Sequence, residues 1–125
     1  MKPINSLLDW VAGYPKSGTT WVRMLLRSYY DRELADYSDT GLVFYQAASS
    51  YPVTALTPWQ EIQLRGAALF HIAVAANNNQ TLIKTHHSFG EFEGIHLFPQ
   101  AYTRRVIYVV RDPRDLVASV AHHFK

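Results

Sequence analysis

The stretch Gly13-Tyr14-Pro15-Lys16-Ser17-Gly18-Thr19-Thr20-Trp21 decides how the rest of the chain is read. An apolar run, Trp10-Val11-Ala12, precedes it and reads as a short buried strand, and a helical pattern begins near Thr19. A strand, a glycine loop and a helix together form an anion cradle. The loop's N–H groups and the first helical turn aim unpaired donors at one spot, where the helix dipole also favours negative charge. Gly13 and Gly18 have the Gly-x-x-x-x-Gly spacing of a Walker A loop, followed by two hydroxyl residues. Walker A places lysine directly after the second glycine; here Thr19 holds that position and Lys16 lies inside the loop. The lysine therefore approaches a bound phosphate from a different direction.

Two later stretches accompany the loop. Thr81 to Thr85 reads as a second strand that ends at His86, and Arg105 to Val110 as a third, the most β-branched run in the chain. Arg111 leaves that strand, and Ser119 follows eight residues on. In order, the strings YPKSGTTW (from Tyr14), IKTH (from Ile83) and YVVRDPRDLVASVAHHF (from Tyr108) resemble the donor loop, the catalytic strand end and the 3'-phosphate segment of PAPS-dependent sulfotransferases of the cytosolic type. PAPS is 3'-phosphoadenosine-5'-phosphosulfate.

The resemblance implies a sulfotransferase that moves the sulfuryl group of PAPS to a hydroxyl or amine of a small-molecule acceptor, leaving PAP. Such a transfer asks the protein to position and to neutralise, as phosphoryl transfer does. Lys16 suits the oxygen bridging phosphate and sulfate, where negative charge grows, and Lys84 suits charge on the transferring group. His86, at a strand end of a parallel sheet, suits removal of the acceptor's proton. Ser17, Gly18, Thr19 and Thr20 would supply donors to the 5'-phosphate. Trp21 either stacks on the adenine or fills the core. Arg111 and Ser119 occupy the family's 3'-phosphate positions, and arginine's planar fork suits that group; an ion pair of Arg111 with Asp112 or Asp115 is the structural alternative. His122-His123 lacks metal-ligand spacing, and no metal is expected. Family members continue well beyond Lys125, so the fold is expected to be truncated on its C-terminal side. Self-association, or a second chain completing the fold, is the matching expectation. Two rival functions remain open: a non-catalytic PAP- or PAPS-binding remnant, and a P-loop kinase. The displaced lysine and the Arg111/Ser119 pair oppose the kinase.

With 125 residues and 48% hydrophobic composition, the chain is expected to form one packed domain, a partial sulfotransferase domain over residues 1–125. Its net charge of +2 does not point to a nucleic-acid partner. With no cysteine, disulfides and thiolate metal sites are ruled out. No apolar h-region or membrane-length run appears, so a cytoplasmic, soluble protein is expected without membrane partners.

Between the motifs, Trp21, Val22, Leu25, Leu26 and Tyr29 predict an inward-facing helical stripe, with Arg23 and Arg27 on the other side. Residues 32–57 read as a long irregular connection, either acceptor-binding or aromatic core filler. Thr57-Pro58-Trp59-Gln60 reads as a helix start, and Asn77-Asn78-Asn79 as its stop. The inward face of that helix is predicted as Trp59, Ile62, Gly66, Leu69, Phe70 and Ala73. Residues 88–103 read as a loop with a helical turn near Pro99. Asp112-Pro113 starts a last helix, with Leu116, Val117, Val120, Ala121 and Phe124 facing inward. The expected fold class is α/β: a three-layered, P-loop-like arrangement around a parallel sheet.

Overall fold

A computed structural model of the chain describes residues 8–30, 35–46, 48–49, 52–76 and 80–124. In it, β1 (Leu8–Gly13) runs into α1 (Thr19–Tyr30), followed by β2 (Ala35–Ser38), α2 (Leu42–Gln46) and α3 (Pro58–Ala75). Then come β3 (Thr81–Thr85), a hairpin of β4 (Glu91–Phe92) and β5 (Ile95–His96), a 3-10 turn (Gln100–Tyr102), β6 (Thr103–Val109) and α4 (Pro113–His123). β1, β2, β3 and β6 form a parallel sheet in the order β2-β3-β1-β6. This is the expected mixed α/β, parallel-sheet architecture.

Every residue of β1 is buried, as its apolar run predicts for a central parallel strand. Leu8, Trp10 and Ala12 face one side, where they join Ile83, Phe98 and the Ala68, Leu69, Ile72 and Ala73 face of α3 in a single core. α1 lies over the other side, with Leu26 near Asp9, Leu82 and Ile107. Helix, sheet and helix make the three layers.

The chain leaves β1 toward β2 and later crosses back to β6, on β1's other side, so the crevice opens at the carboxyl end of β1. Register sets Ala12 beside Thr85 and Gly13 beside Val109. The segments after β1, β3 and β6 therefore emerge at one edge. At the opposite edge, the β1–β6 register shifts between Leu8 and Asp9. That irregularity lets consecutive arginines, Arg104 and Arg105, both reach buried Asp9, to which Gln80 also donates.

Some local signals hold and others are overturned. Thr57 and Gln60 form a reciprocal capping box on α3, with Pro58 at the first turn. Asp112 caps α4 by accepting from the Arg114 N–H. The 3-10 turn stands where a helical turn was expected beside Pro99. In contrast, the connection over 32–57 contains β2 and α2, and 88–103 contains a hairpin. Asn77-Asn78-Asn79 lies outside the described residues.

The helix faces differ most. On α1, Trp21 and Tyr29 are 73% and 82% exposed and Leu25 is exposed too, whereas Arg23 turns inward to pair with Asp36 of β2 at 3.3 Å. Asp36's proton affinity is raised, chiefly by burial and against the pull of Arg23 and Arg27. On α3, Trp59 and Phe70 are exposed and Arg65 is fully buried. Arg65 bonds Asp39 at 2.7 Å and the Leu97 carbonyl at 3.0 Å, and its guanidinium lies over the rings of Trp10 and Phe44. None of α4's residues is buried, and Val117 and Phe124 are strongly exposed.

Candidate active site

The phosphate-type loop is built by short local bonds. Ser17 donates from both its N–H and its hydroxyl to the Tyr14 carbonyl, tightening the turn. Gly18, at φ 104°, opens α1 and its carbonyl accepts from the Val22 N–H; only glycine takes that conformation without a Cβ clash. Lys16 takes φ 67° with a full side chain, a left-handed conformation that costs about 1 kcal/mol or more. Strain of this kind is kept where surrounding contacts over-determine the backbone.

Two of those contacts come from β6 and the segment just after it. A Cβ added to Gly13 would stand 2.6 Å from the Val109 carbonyl oxygen and 2.8 Å from the Ser17 hydroxyl, so the loop's first residue abuts the strand. Beyond the strand, Arg111 Nη1 donates to the Lys16 carbonyl at 3.0 Å. Asp112 is occupied by Arg114 instead, so Arg111 does not take up the expected ion-pair alternative there.

On the other side of β1, His86 follows β3 and its Nδ1 donates to the Gly13 carbonyl at 2.7 Å. A carbonyl can only accept, so Nδ1 carries a proton, and in the neutral tautomer with that proton Nε2 is the lone pair. Lys84, two residues earlier, is half-buried. Its proton affinity is lowered, first by burial and then by Arg23 and Lys16. His87 is partly buried on the opposite side, where burial and Arg65 lower its proton affinity.

These groups surround a cavity of about 570 Å³ lined by Pro15, Lys16, Gly18, Thr19, Thr20, Trp21, Lys84, His86, Arg111, Val120, His123 and Phe124. Lysines and an arginine line it, and among the described residues no carboxylate does. The N-terminus of α1 opens beside it. Of the sequence candidates, Lys16, Gly18, Thr19, Thr20, Trp21, Lys84, His86 and Arg111 meet here. Ser17 is buried behind the loop with its hydroxyl and N–H already used inside it, which leaves neither for a ligand in this conformation. Ser119 is half-buried on α4 and is not part of the lining. Trp21 is exposed over the cavity rather than packed in the core.

Sequence reasoning missed the contribution of α4's last turns. Val120, His123 and Phe124 stand at i, i+3 and i+4 on one face, a pattern that marks a shared surface but not which neighbour it meets. The segment over 32–57 resolves toward core filling: Phe44 and Tyr45 are fully buried, and none of its described residues lines the cavity. Among the described residues, no group of three or more His, Asp or Glu side chains is arranged to hold a metal, and no helix is long and apolar enough to cross a membrane.

Comparison with known proteins adds an independent line. The chain is 31% identical over 116 residues to the protein named cytosolic sulfotransferase 1 of Danio rerio, an alignment covering 90% of this chain. It spans about a third of that relative's length, 34%. No solved structure matches it. A family model described as the sulfotransferase domain matches residues 9–125, nearly the whole chain and all three motifs, and the chain belongs to the sulfotransferase family.

Proposed function

We propose that the chain binds PAPS at the crevice above β1 and serves sulfuryl transfer to a hydroxyl or amine of a small-molecule acceptor. The observation that carries this reading is the convergence of Lys16, Lys84, Arg111 and His86 around one cavity that, among the described residues, no carboxylate lines. Such a lining fits a polyanion, and the volume falls within the usual range for a small-molecule site. PAPS, when bound, would supply the sulfuryl group and leave as PAP.

The chain's own residues divide the work. The N–H groups at Gly18, Thr19 and Thr20 open α1 and would hold the 5'-phosphate. Trp21 offers an exposed ring on which the adenine would stack. Lys16 and Lys84 would neutralise charge growing on the bridging oxygen and on the sulfuryl oxygens, a contribution of about 100- to 1,000-fold for one well-placed donor. His86 would accept the acceptor's proton at Nε2 as the acceptor oxygen bonds to sulfur and the sulfur–phosphate oxygen bond breaks. The electron pair of that broken bond stays with PAP. Arg111, and Ser119 if α4 shifts, would read the 3'-phosphate. We read residues 1–125 as part of one sulfotransferase domain, and the chain as cytoplasmic like the named relative.

Calorimetric titration with PAP and with ADP tests the reading. PAP is expected to bind at least about tenfold more tightly, because its 3'-phosphate gains a charge-assisted contact with Arg111. Arg111→Ala is expected to erase most of that preference. Equal affinities in the parent chain would overturn the assignment. Tight PAP binding without turnover on any acceptor would leave only a non-catalytic binder.

A further inference from the structure

We infer that Arg111 is also a positioning residue for Lys16: it latches the tip of β6 onto the phosphate loop and so aims the lysine into the cavity. This rests on the proposed donor site but goes beyond reading the 3'-phosphate. Lys16 holds a left-handed backbone at φ 67°, and its carbonyl accepts from Arg111 Nη1 at 3.0 Å across 95 residues of sequence. The bonds of Ser17 to Tyr14 close the turn from within, while the Arg111 bond secures it from the segment that follows β6.

The same strand meets the loop at its other end, where Gly13 pairs with Val109 at a distance no larger residue tolerates. The loop is therefore strapped to β6 at its first residue and at Lys16. A guanidinium has five N–H donors in a planar fork, so one can hold a carbonyl while others face a phosphate. Arg111 would then couple the two ends of the donor: capture of the 3'-phosphate fixes the guanidinium that fixes Lys16.

ADP lacks the 3'-phosphate and isolates the positioning role. Arg111→Ala is expected to weaken ADP binding about tenfold, the loss of one hydrogen bond that steers a charged group. Lys16→Ala should weaken ADP as well, and the double variant should bind no more than about twofold worse than Lys16→Ala, because the arginine acts through the lysine. Unchanged ADP affinity in Arg111→Ala would overturn the inference, and so would a double variant whose loss equals the product of the single losses. Amide hydrogen exchange in the ligand-free chain gives a second readout, expected to quicken several-fold at Lys16 and Ser17 in Arg111→Ala. Unchanged exchange there would also count against the latch. If the parent chain bound neither nucleotide, the proposed function would fall, while hydrogen exchange would still decide the latch.

Discussion

Nδ1 of His86 donates to the carbonyl of Gly13 at 2.7 Å, tying the end of β3 to the first residue of the glycine loop. The bond fixes the imidazole's tautomer and ring plane together, with Nε2 available to accept a proton. His86→Ala is therefore expected to reduce turnover by about 100- to 10,000-fold. PAP affinity should stay within about twofold of the parent, since the proposed role belongs to the transition state. Steady-state kinetics beside calorimetry separates the two, and loss of PAP binding would contradict the assignment.

Gly13→Ala should damage the loop from beneath. Its Cβ would meet backbone at Val109 and the Ser17 hydroxyl, and neither can withdraw without opening the β1–β6 pairing or the turn. A loss of about 1–3 kcal/mol in urea unfolding is expected, together with weaker PAP binding. A variant as stable as the parent would show that the strands separate there at little cost.

Lys84 is expected to make binding at the proposed donor site depend on pH. Burial, Arg23 and Lys16 depress its folded pKa below the ordinary lysine value of 10.5. Between that depressed value and 10.5 the unfolded chain binds more protons, so this group's contribution raises stability as pH rises across the window. An anion in the cavity reverses the effect by favouring the ammonium. PAP binding should then take up protons, and affinity should fall as pH climbs through the depressed pKa. Calorimetry in buffers of different ionisation enthalpy checks this, and Lys84→Gln should abolish the uptake.

Arg65 and Asp39 form a fully buried pair in which Arg65 Nη2 and Asp39 Oδ1 have no hydrogen-bond partner among the described residues. Arg65→Ala would strand a buried carboxylate and is expected to cost about 3–5 kcal/mol, measured by urea unfolding. Replacing both together by Arg65→Met and Asp39→Leu should cost far less, because the desolvation penalty goes with the charges. Equal losses would refute that account.

Exposed apolar groups predict self-association. Trp21, Met24, Leu25 and Tyr29 form an open stripe on α1, Val117 and Phe124 are open on α4, and among the described residues nothing pairs with the outer edge of β6. Large open apolar surface and an unpaired strand edge both favour association. Light scattering after size exclusion should show mass rising with concentration, and Leu25→Glu with Val117→Glu should suppress it. A monodisperse monomer at high concentration would refute the expectation.

What was legible in the sequence is local chemistry. The glycine spacing and the displaced Lys16 mark an anion loop. Thr57-Pro58-Gln60 and Asp112-Pro113 mark helix starts, because caps act within one turn of the backbone. The apolar run of β1 marks a strand covered on both faces. Together with His86 and Arg111 at strand ends, these residues contain the α/β class and most of the candidate site before any contact is seen.

The tertiary structure decided which face each helix turns inward and which strands lie side by side. Arg23 turns inward and Arg65 is fully buried because Asp36 and Asp39 wait across the layer, and no periodicity within α1 or α3 carries that partner's position. β2 is too short to announce itself and is a strand because β3 offers its edge. His86 bonds Gly13, and Arg111 bonds Lys16, only because β1 lies between β3 and β6. Hydrophobic spacing says how a segment repeats; the energy of burying a charge depends on what faces it, and that is a property of the assembled layers.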